Sequence, residues 1–161
     1  SKILARKSVI KALLKARSFL PKKYNFKIWD GQRNRKIQIA MAESFKRRLR
    51  ILYPGLSPKK RSKSVSKFAN NPYMRILTPD SHRQGGAFDL TIVNNHGDEL
   101  YMGTDFDDLT PKAATNYFEN KKSLNMLDKK ARKNRRLLKY VMVKSGFRNY
   151  APEWWHWGFD K

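Results

Sequence analysis

The 161-residue sequence contains no cysteine. Disulfide bonds and thiolate metal sites are therefore excluded, and a transition-metal site would have to use His, Asp or Glu. The sequence also lacks the run of about 18 apolar residues that a membrane-spanning helix requires. Lys and Arg interrupt the N-terminal apolar residues every few positions, which argues against a secretory signal peptide in this chain.

Acidic residues are scarce: 13 Asp and Glu stand against 36 Lys and Arg, giving a net charge of +23. Such a charge attracts polyanions, including nucleic acid, anionic membranes and acidic wall polymers. A basic nucleic-acid-binding module is therefore one hypothesis. The basic residues are scattered, however, and no helix-turn-helix, zinc-finger or RNA-recognition signature accompanies them. A solvated basic surface is the simpler interpretation, and we expect no specific nucleic acid partner.

The order of apolar patterns predicts a single α+β domain over residues 1–161, with a mainly antiparallel central sheet and helices packed on it. The predicted helices are residues 1–20, 36–52 and most of 111–145, and the predicted strands are 26–29, 87–93, 99–102 and 147–157. The core positions predicted for the second and third helices are Ile37, Ile39, Met41, Phe45, Leu49, Leu52, Leu124, Leu127, Ala131, Leu138, Val141 and Met142. The first helix is amphipathic and basic, so it could lie on a membrane, but packing against the domain's own sheet is favoured. Its predicted apolar face consists of Ile3, Leu4, Ile10, Leu13, Leu14, Phe19 and Leu20. Residues 57–67 form a polar, cationic run that predicts a mobile loop.

Two short segments, residues 80–89 and 153–156, hold two of the three histidines and several carboxylates. Gly85 and Gly86 allow the backbone to fold back, and the strand that follows would fix Asp89 on a rigid element. The third histidine, His96, falls in a predicted turn and is expected to be exposed.

Zinc in catalytic sites takes three protein ligands and leaves one position for water. His82, Asp89 and His156 would provide such a set at one edge of the sheet. Glu153, three residues before His156, lies where a general base for the water would be needed. The alternative stays open that these are packed or surface histidines, and that Glu153–His156 is the polar end of an aromatic core.

Five blocks of the sequence strengthen the zinc hypothesis: residues 28–33, 81–91, 102–107, 134–147 and 153–156. In this order they resemble the signature of the zinc D-alanyl-D-alanine dipeptidases of the VanX type, which are D,D-peptidases of the M15 class. Five ordered blocks are more specific than any single motif. There are departures from the family pattern at Gln32, Asn34 and Asp80, but none of them removes an expected ligand or the base.

The resemblance implies one Zn²⁺ per chain, held by His82, Asp89 and His156. It further implies Glu153 as the catalytic acid and base, and Arg33 as the group that stabilises the transition state. Asp107 and Ser81 are implied as substrate-binding residues, with Asp107 near the free amino group.

The expected activity is hydrolysis of the D-Ala-D-Ala dipeptide by a metal-activated water. The alternative is a peptidoglycan D,D-carboxypeptidase or endopeptidase of the same zinc family, which would act on cell-wall stem peptides. The sequence leaves the compartment open between the bacterial cytoplasm and the periplasm, and the positive charge would favour contact with anionic wall polymers wherever the protein meets them.

Overall fold

The computed structural model describes residues 2–60 and 81–160. Its helices are α1 (Lys7–Ser18), α2 (Arg35–Leu52), the short α3 (Tyr117–Asn120) and α4 (Met126–Lys144). Its strands are β1 (Tyr24–Asp30), β2 (Ala87–Asn94), β3 (Arg148–Asn149) and β4 (His156–Gly158). Two 3₁₀ turns, His82–Gln84 and Pro111–Ala113, stand between them.

The four strands form one antiparallel sheet in the order β1-β2-β4-β3. Strand β2 is buried along almost its whole length, since it lies between two neighbours and beneath the helices. The predicted α+β class with an antiparallel sheet is confirmed. The expected site lies at the edge of the sheet where β1 ends and β4 begins, because Asp89 pairs with both Asp30 and His156.

Helix α1 is shorter than the predicted helix over residues 1–20. The segment before it is extended, because its backbone bonds to other parts of the chain. The Gln32 amide donates to the Leu4 carbonyl at 2.7 Å, and the Arg6 amide donates to the Gly85 carbonyl at 3.0 Å. The N-terminal segment is thus attached to both segments that lead into the site.

The buried face of α1 also differs from the predicted one, which included Ile10 and Leu14. Those two side chains are exposed, Leu14 by 66%. The buried positions follow a regular helical stripe instead: Val9, Ala12, Leu13 and Ala16. This stripe combines two larger apolar residues with two alanines, and α1 packs against α4.

Helices α2 and α4 agree more closely with the predicted patterns. Phe45 and Leu49 of α2 are buried, as are four of the predicted α4 core residues: Ala131, Leu138, Val141 and Met142. Ile37, Leu52 and Leu127 were expected in the core but are exposed. Gly146 ends α4 with a φ of 94°, as expected for a glycine after a helix.

Two predicted strands are wrong in extent. Residues 99–102 do not form a strand of the sheet, and only an isolated bridge joins Val93 to Glu99. Residues 147–157 are interrupted, because the chain turns between β3 and β4. The Asn149 side-chain amide donates to the carbonyls of Glu153 and His156 at 3.0 Å each, which fixes this turn.

The predicted loop over residues 57–67 lies partly outside the described residues. Within them, residues 58–60 are helical. In the described part of the chain, no helix combines the length and the hydropathy needed to cross a membrane.

Candidate metal centre and active site

Three side chains bring nitrogen and oxygen atoms together at the end of the sheet. His82 Nε2 lies 3.1 Å from His156 Nδ1 and 3.2 Å from Asp89 Oδ1, and His156 Nδ1 lies 3.0 Å from the same Asp89 oxygen. Tetrahedral zinc with bonds of about 2.0–2.1 Å places its ligand atoms roughly 3.3 Å apart. The observed triangle of donor atoms, hereafter the donor triangle, therefore has the size that such an ion requires.

Strand pairing explains why these residues meet. Asp89 on β2 lies directly opposite His156, the first residue of β4. His82 reaches the same point from the 3₁₀ turn, which ends at Gly85 in the left-handed region with a φ of 62°. That reversal is the role expected of the glycine pair, and it brings His82 back over the start of β2.

The hydrogen bonds of His82 favour a metal in the donor triangle. Its Nδ1 lies 2.6 Å from the Gly31 carbonyl, which can only accept, so Nδ1 carries the proton in the neutral ring. Nε2 then presents a lone pair toward the oxygen of Asp89 and the nitrogen of His156. Nε2 therefore carries no proton in the neutral ring and is able to bind a metal, and a carbonyl behind a ligating imidazole is a common arrangement in metal sites.

The electrostatics also favour the protonation states in which His156 and Asp89 can bind a metal. Burial lowers the pKa of His156, with the Asp89 carboxylate opposing it, so the imidazole tends to be neutral. For Asp89, burial would raise the pKa, but the charges and hydrogen bonds of His82 and His156 together hold it well below its usual range. A neutral imidazole and an ionised carboxylate are the forms that bind metal.

Arg33 lies beside the donor triangle and is almost fully buried. Its Nη2 donates to Asp89 Oδ2 and lies 3.2 Å from His82 Nε2, while its Nε donates to Asp30 Oδ2. Its pKa is raised: burial alone would lower it, but the neighbouring carboxylates Asp89 and Asp30 outweigh that effect. A permanent positive charge therefore lies next to the ligands.

Glu153 lies in the turn just before β4 and is buried. Its Oε2 is 3.9 Å from His156 Nδ1, close to the donor triangle but outside hydrogen-bond distance. Burial raises the pKa of this carboxyl well above its usual value, and the negative charge of Asp89 raises it further. A divalent cation in the donor triangle would oppose that rise through its own charge.

The two expected substrate-binding residues have different surroundings. Ser81 is buried, and its hydroxyl has no hydrogen-bond partner within the described residues. Asp107 is partly buried and has a φ of 60°, unusual for a residue with a side chain. Burial and the charge of Asp89 raise the pKa of Asp107 to about 6.

Two neighbours of the site did not emerge from the sequence: the Asp30 carboxylate and the Gly31 carbonyl. Both fall within the block 28–33, in which only Arg33 is predicted to have a functional role. His96 is exposed in the turn after β2, as expected, and is not part of the site.

Comparison with known proteins identifies the family of this chain. The family model described as D-ala-D-ala dipeptidase, of the peptidase M15 group, matches residues 1–160. The chain belongs to the D-Ala-D-Ala dipeptidase family. The resemblance inferred from the five sequence blocks is thereby confirmed.

Individual family members are only distantly similar. The chain is 32% identical over 91 residues to a D-alanyl-D-alanine dipeptidase of Synechocystis, a match covering 54% of this chain and 35% of that protein. It is 27% identical to one of Enterococcus faecium, over 98% of this chain and 73% of that protein. A third, of Escherichia coli, is 31% identical over 50% of this chain and 38% of its own length. Two of these three matches thus span little more than a third of the relative.

Proposed function

We propose that this protein is a zinc-dependent dipeptidase that hydrolyses D-Ala-D-Ala. The observation that carries the proposal is the donor triangle with a buried carboxyl, Glu153, beside it. Two imidazoles and a carboxylate are a ligand set typical of catalytic zinc. The family membership and the printed names of the relatives support the same substrate.

His82, Asp89 and His156 would hold the zinc ion. When bound, zinc supplies a Lewis acid that polarises the scissile carbonyl and lowers the pKa of a water molecule. The carbonyl of Gly31 orients the His82 ring for this role, and Arg33 orients the Asp89 carboxylate.

Glu153 would act as the proton carrier. It accepts a proton from the attacking water and passes it to the nitrogen of the departing D-alanine. Its buried position and raised pKa suit this exchange, because a carboxylate whose pKa is raised is a stronger base toward the attacking water. The fixed charge of Arg33 would stabilise the negative charge that develops on the carbonyl oxygen.

Two further residues would bind the ends of the substrate. Asp107 would accept hydrogen bonds from the free ammonium group, which needs a nearby negative charge. The Ser81 hydroxyl, buried without a partner among the described residues, would donate to an oxygen of the dipeptide.

A pair of variants tests the roles of ligand and base. Glu153→Gln should keep one zinc per chain and lose D-alanine release by at least about a hundredfold, in line with the loss of a general base. His156→Ala should lose zinc as well as activity. Zinc content by atomic absorption and D-alanine release by a coupled oxidase assay provide both readings. Equal loss of zinc in the two variants would show that Glu153 is a ligand instead.

A further inference from the structure

Arg135 is a buried arginine on α4 that closes a loop next to the site. Its Nε donates to the Met102 carbonyl at 2.7 Å, its Nη1 to the Ala114 carbonyl at 2.7 Å, and its Nη2 to the Lys112 carbonyl at 3.0 Å. Met102 stands at the start of the segment 102–114, and the other two carbonyls stand at its end. One guanidinium therefore binds both ends of this segment. The segment contains Asp105, Asp107 and Asp108 and is hereafter called the acidic loop.

The acidic loop carries Asp107 in a conformation that the chain must enforce. A residue other than glycine at a φ of 60° is intrinsically unfavourable and persists only where its surroundings hold it. Arg48 of α2 donates to the Asp107 carbonyl at 2.9 Å. At the base of the loop, a Cβ at Gly103 would lie 2.4 Å from the Phe118 ring, so the backbone is pressed against the helices.

The same arginine contacts the segment that carries Glu153. Its guanidinium carbon lies 5.6 Å from the centre of the Trp154 ring, and Trp154 directly follows Glu153. The Trp154 indole donates to the Thr104 hydroxyl at 2.8 Å, and its amide donates to the Ala113 carbonyl at 3.1 Å. Loop and turn are thus joined around Arg135.

The charge of Arg135 has no contacting carboxylate within residues 2–60 and 81–160. Burial lowers the pKa of Arg135 to about 10, so the guanidinium is still charged at neutral pH. Three carbonyl dipoles, the Phe118 ring 4.7 Å away and the more distant charge of Asp108 compensate it. Lysine carries the same charge but cannot span three carbonyls, because its donors radiate from a single nitrogen.

We propose that Arg135 is a positioning residue that sets the place of the Asp107 carboxylate and thereby the binding of the substrate's amino terminus. This inference rests on the proposed dipeptidase function. It assigns to a residue 28 positions after Asp107 a role in substrate affinity rather than in the proton transfers. Glu153 and the donor triangle are further supported by the sheet itself, so they depend less on this arginine.

The kinetic test compares Arg135→Lys with Arg136→Lys on the same helix, where Arg136 pairs only with Glu119 at the surface among the described residues. Arg135→Lys should raise KM for D-Ala-D-Ala roughly tenfold with kcat changed by less than about threefold. Arg136→Lys should leave both constants unchanged. Arg135→Gln, which also cannot hold three carbonyls, should behave like the lysine variant.

The Asp107→Asn background separates positioning from a general effect on the fold. If Arg135 acts through Asp107, adding Arg135→Lys to Asp107→Asn should raise KM by less than about twofold more. The proposal would be overturned if the increases in KM of the two single variants multiplied fully in the double variant. It would also be overturned if Arg135→Lys lowered kcat and left KM unchanged.

Hydrogen exchange tests the structural part without any activity. Amides of residues 103–114 should exchange roughly tenfold faster in Arg135→Lys than in the wild type, while those of β1 are unchanged and Arg136→Lys resembles the wild type. If the wild type proves inactive on D-Ala-D-Ala, the proposed function fails, but this measurement still decides whether Arg135 holds the loop. Unaltered exchange of these amides in both Arg135→Lys and Arg135→Gln would refute the inference.

Discussion

Asp89→Asn removes one negative charge from a carboxylate that is only 1% exposed and that contacts both histidines and Arg33. The substitution keeps the size of the side chain, so packing is preserved. What changes is the electrostatic balance: the Arg33 guanidinium, 6% exposed, loses one of its two carboxylate partners.

The expected cost follows from burial. Removing one partner of a buried ion pair typically destabilises a protein by about 3–5 kcal/mol, because an uncompensated charge is left inside. Asp30 still pairs with Arg33, so we expect the lower end of that range, about 3 kcal/mol. With a urea dependence of about 2 kcal/mol per molar, the unfolding midpoint should fall by roughly 1.5 M.

The assay is urea unfolding of the metal-free protein at pH 7, followed by tryptophan fluorescence. Glu99→Gln is the matched control, since it breaks an exposed ion pair with Lys27. The Glu99 side chain is 42% exposed and the Lys27 side chain is 48% exposed. An exposed pair contributes at most about 1 kcal/mol, so that midpoint should barely move. Equal midpoints for Asp89→Asn and the wild type would refute the assignment of a buried Arg33–Asp89 pair.

Three other predictions concern pH, core packing and a helix cap. The pKa of Asp107 is raised to about 6 in the folded protein, so ionisation of this carboxyl opposes folding. The metal-free protein should therefore lose stability as the pH rises from about 4 to 6. Asp107→Asn should flatten this part of the plot of unfolding free energy against pH, measured by urea titration. Ala16→Leu should lower the free energy of unfolding by about 1–3 kcal/mol through overpacking in the core, whereas Leu14→Ala on the exposed side should change it by less than about 0.5 kcal/mol; thermal unfolding distinguishes them. Asn125→Ala should lower the free energy of unfolding by about 1 kcal/mol, since it removes the capping box that Asn125 forms with Asp128 at the start of α4. An unchanged melting temperature by circular dichroism would show that the cap does not contribute.

The residues of the donor triangle stand out in the sequence by their local chemistry, but spacing alone leaves open that they are packed histidines, and it is the family resemblance that favours a metal site. Histidines are rare in this chain, cysteine is absent, and a glycine pair stands between His82 and the strand that carries Asp89. Strand β2 was predictable for a similar reason, since β-branched and aromatic residues follow a turn.

Other features depend on distant partners and have no local signal. Residues 4–6 look like part of a helix, but their backbone groups bond to Gln32 and Gly85, which the pattern of apolar residues cannot reveal. Arg135 is one of 36 basic residues, and only tertiary packing distinguishes it from its exposed neighbours. The role of Asp30 likewise depends on the register of β1 against β2, which shifts between Ile28 and Asp30.

The most direct test of the central claim is release of D-alanine from D-Ala-D-Ala by the purified protein, with and without a zinc chelator. An N-capped muramyl pentapeptide is assayed in parallel. We expect release from the dipeptide that is lost on chelation and restored by added zinc, and little release from the capped peptide, which lacks the amino group that Asp107 would bind. Activity that survives complete removal of metal, or no release from the dipeptide with zinc present, would contradict the account.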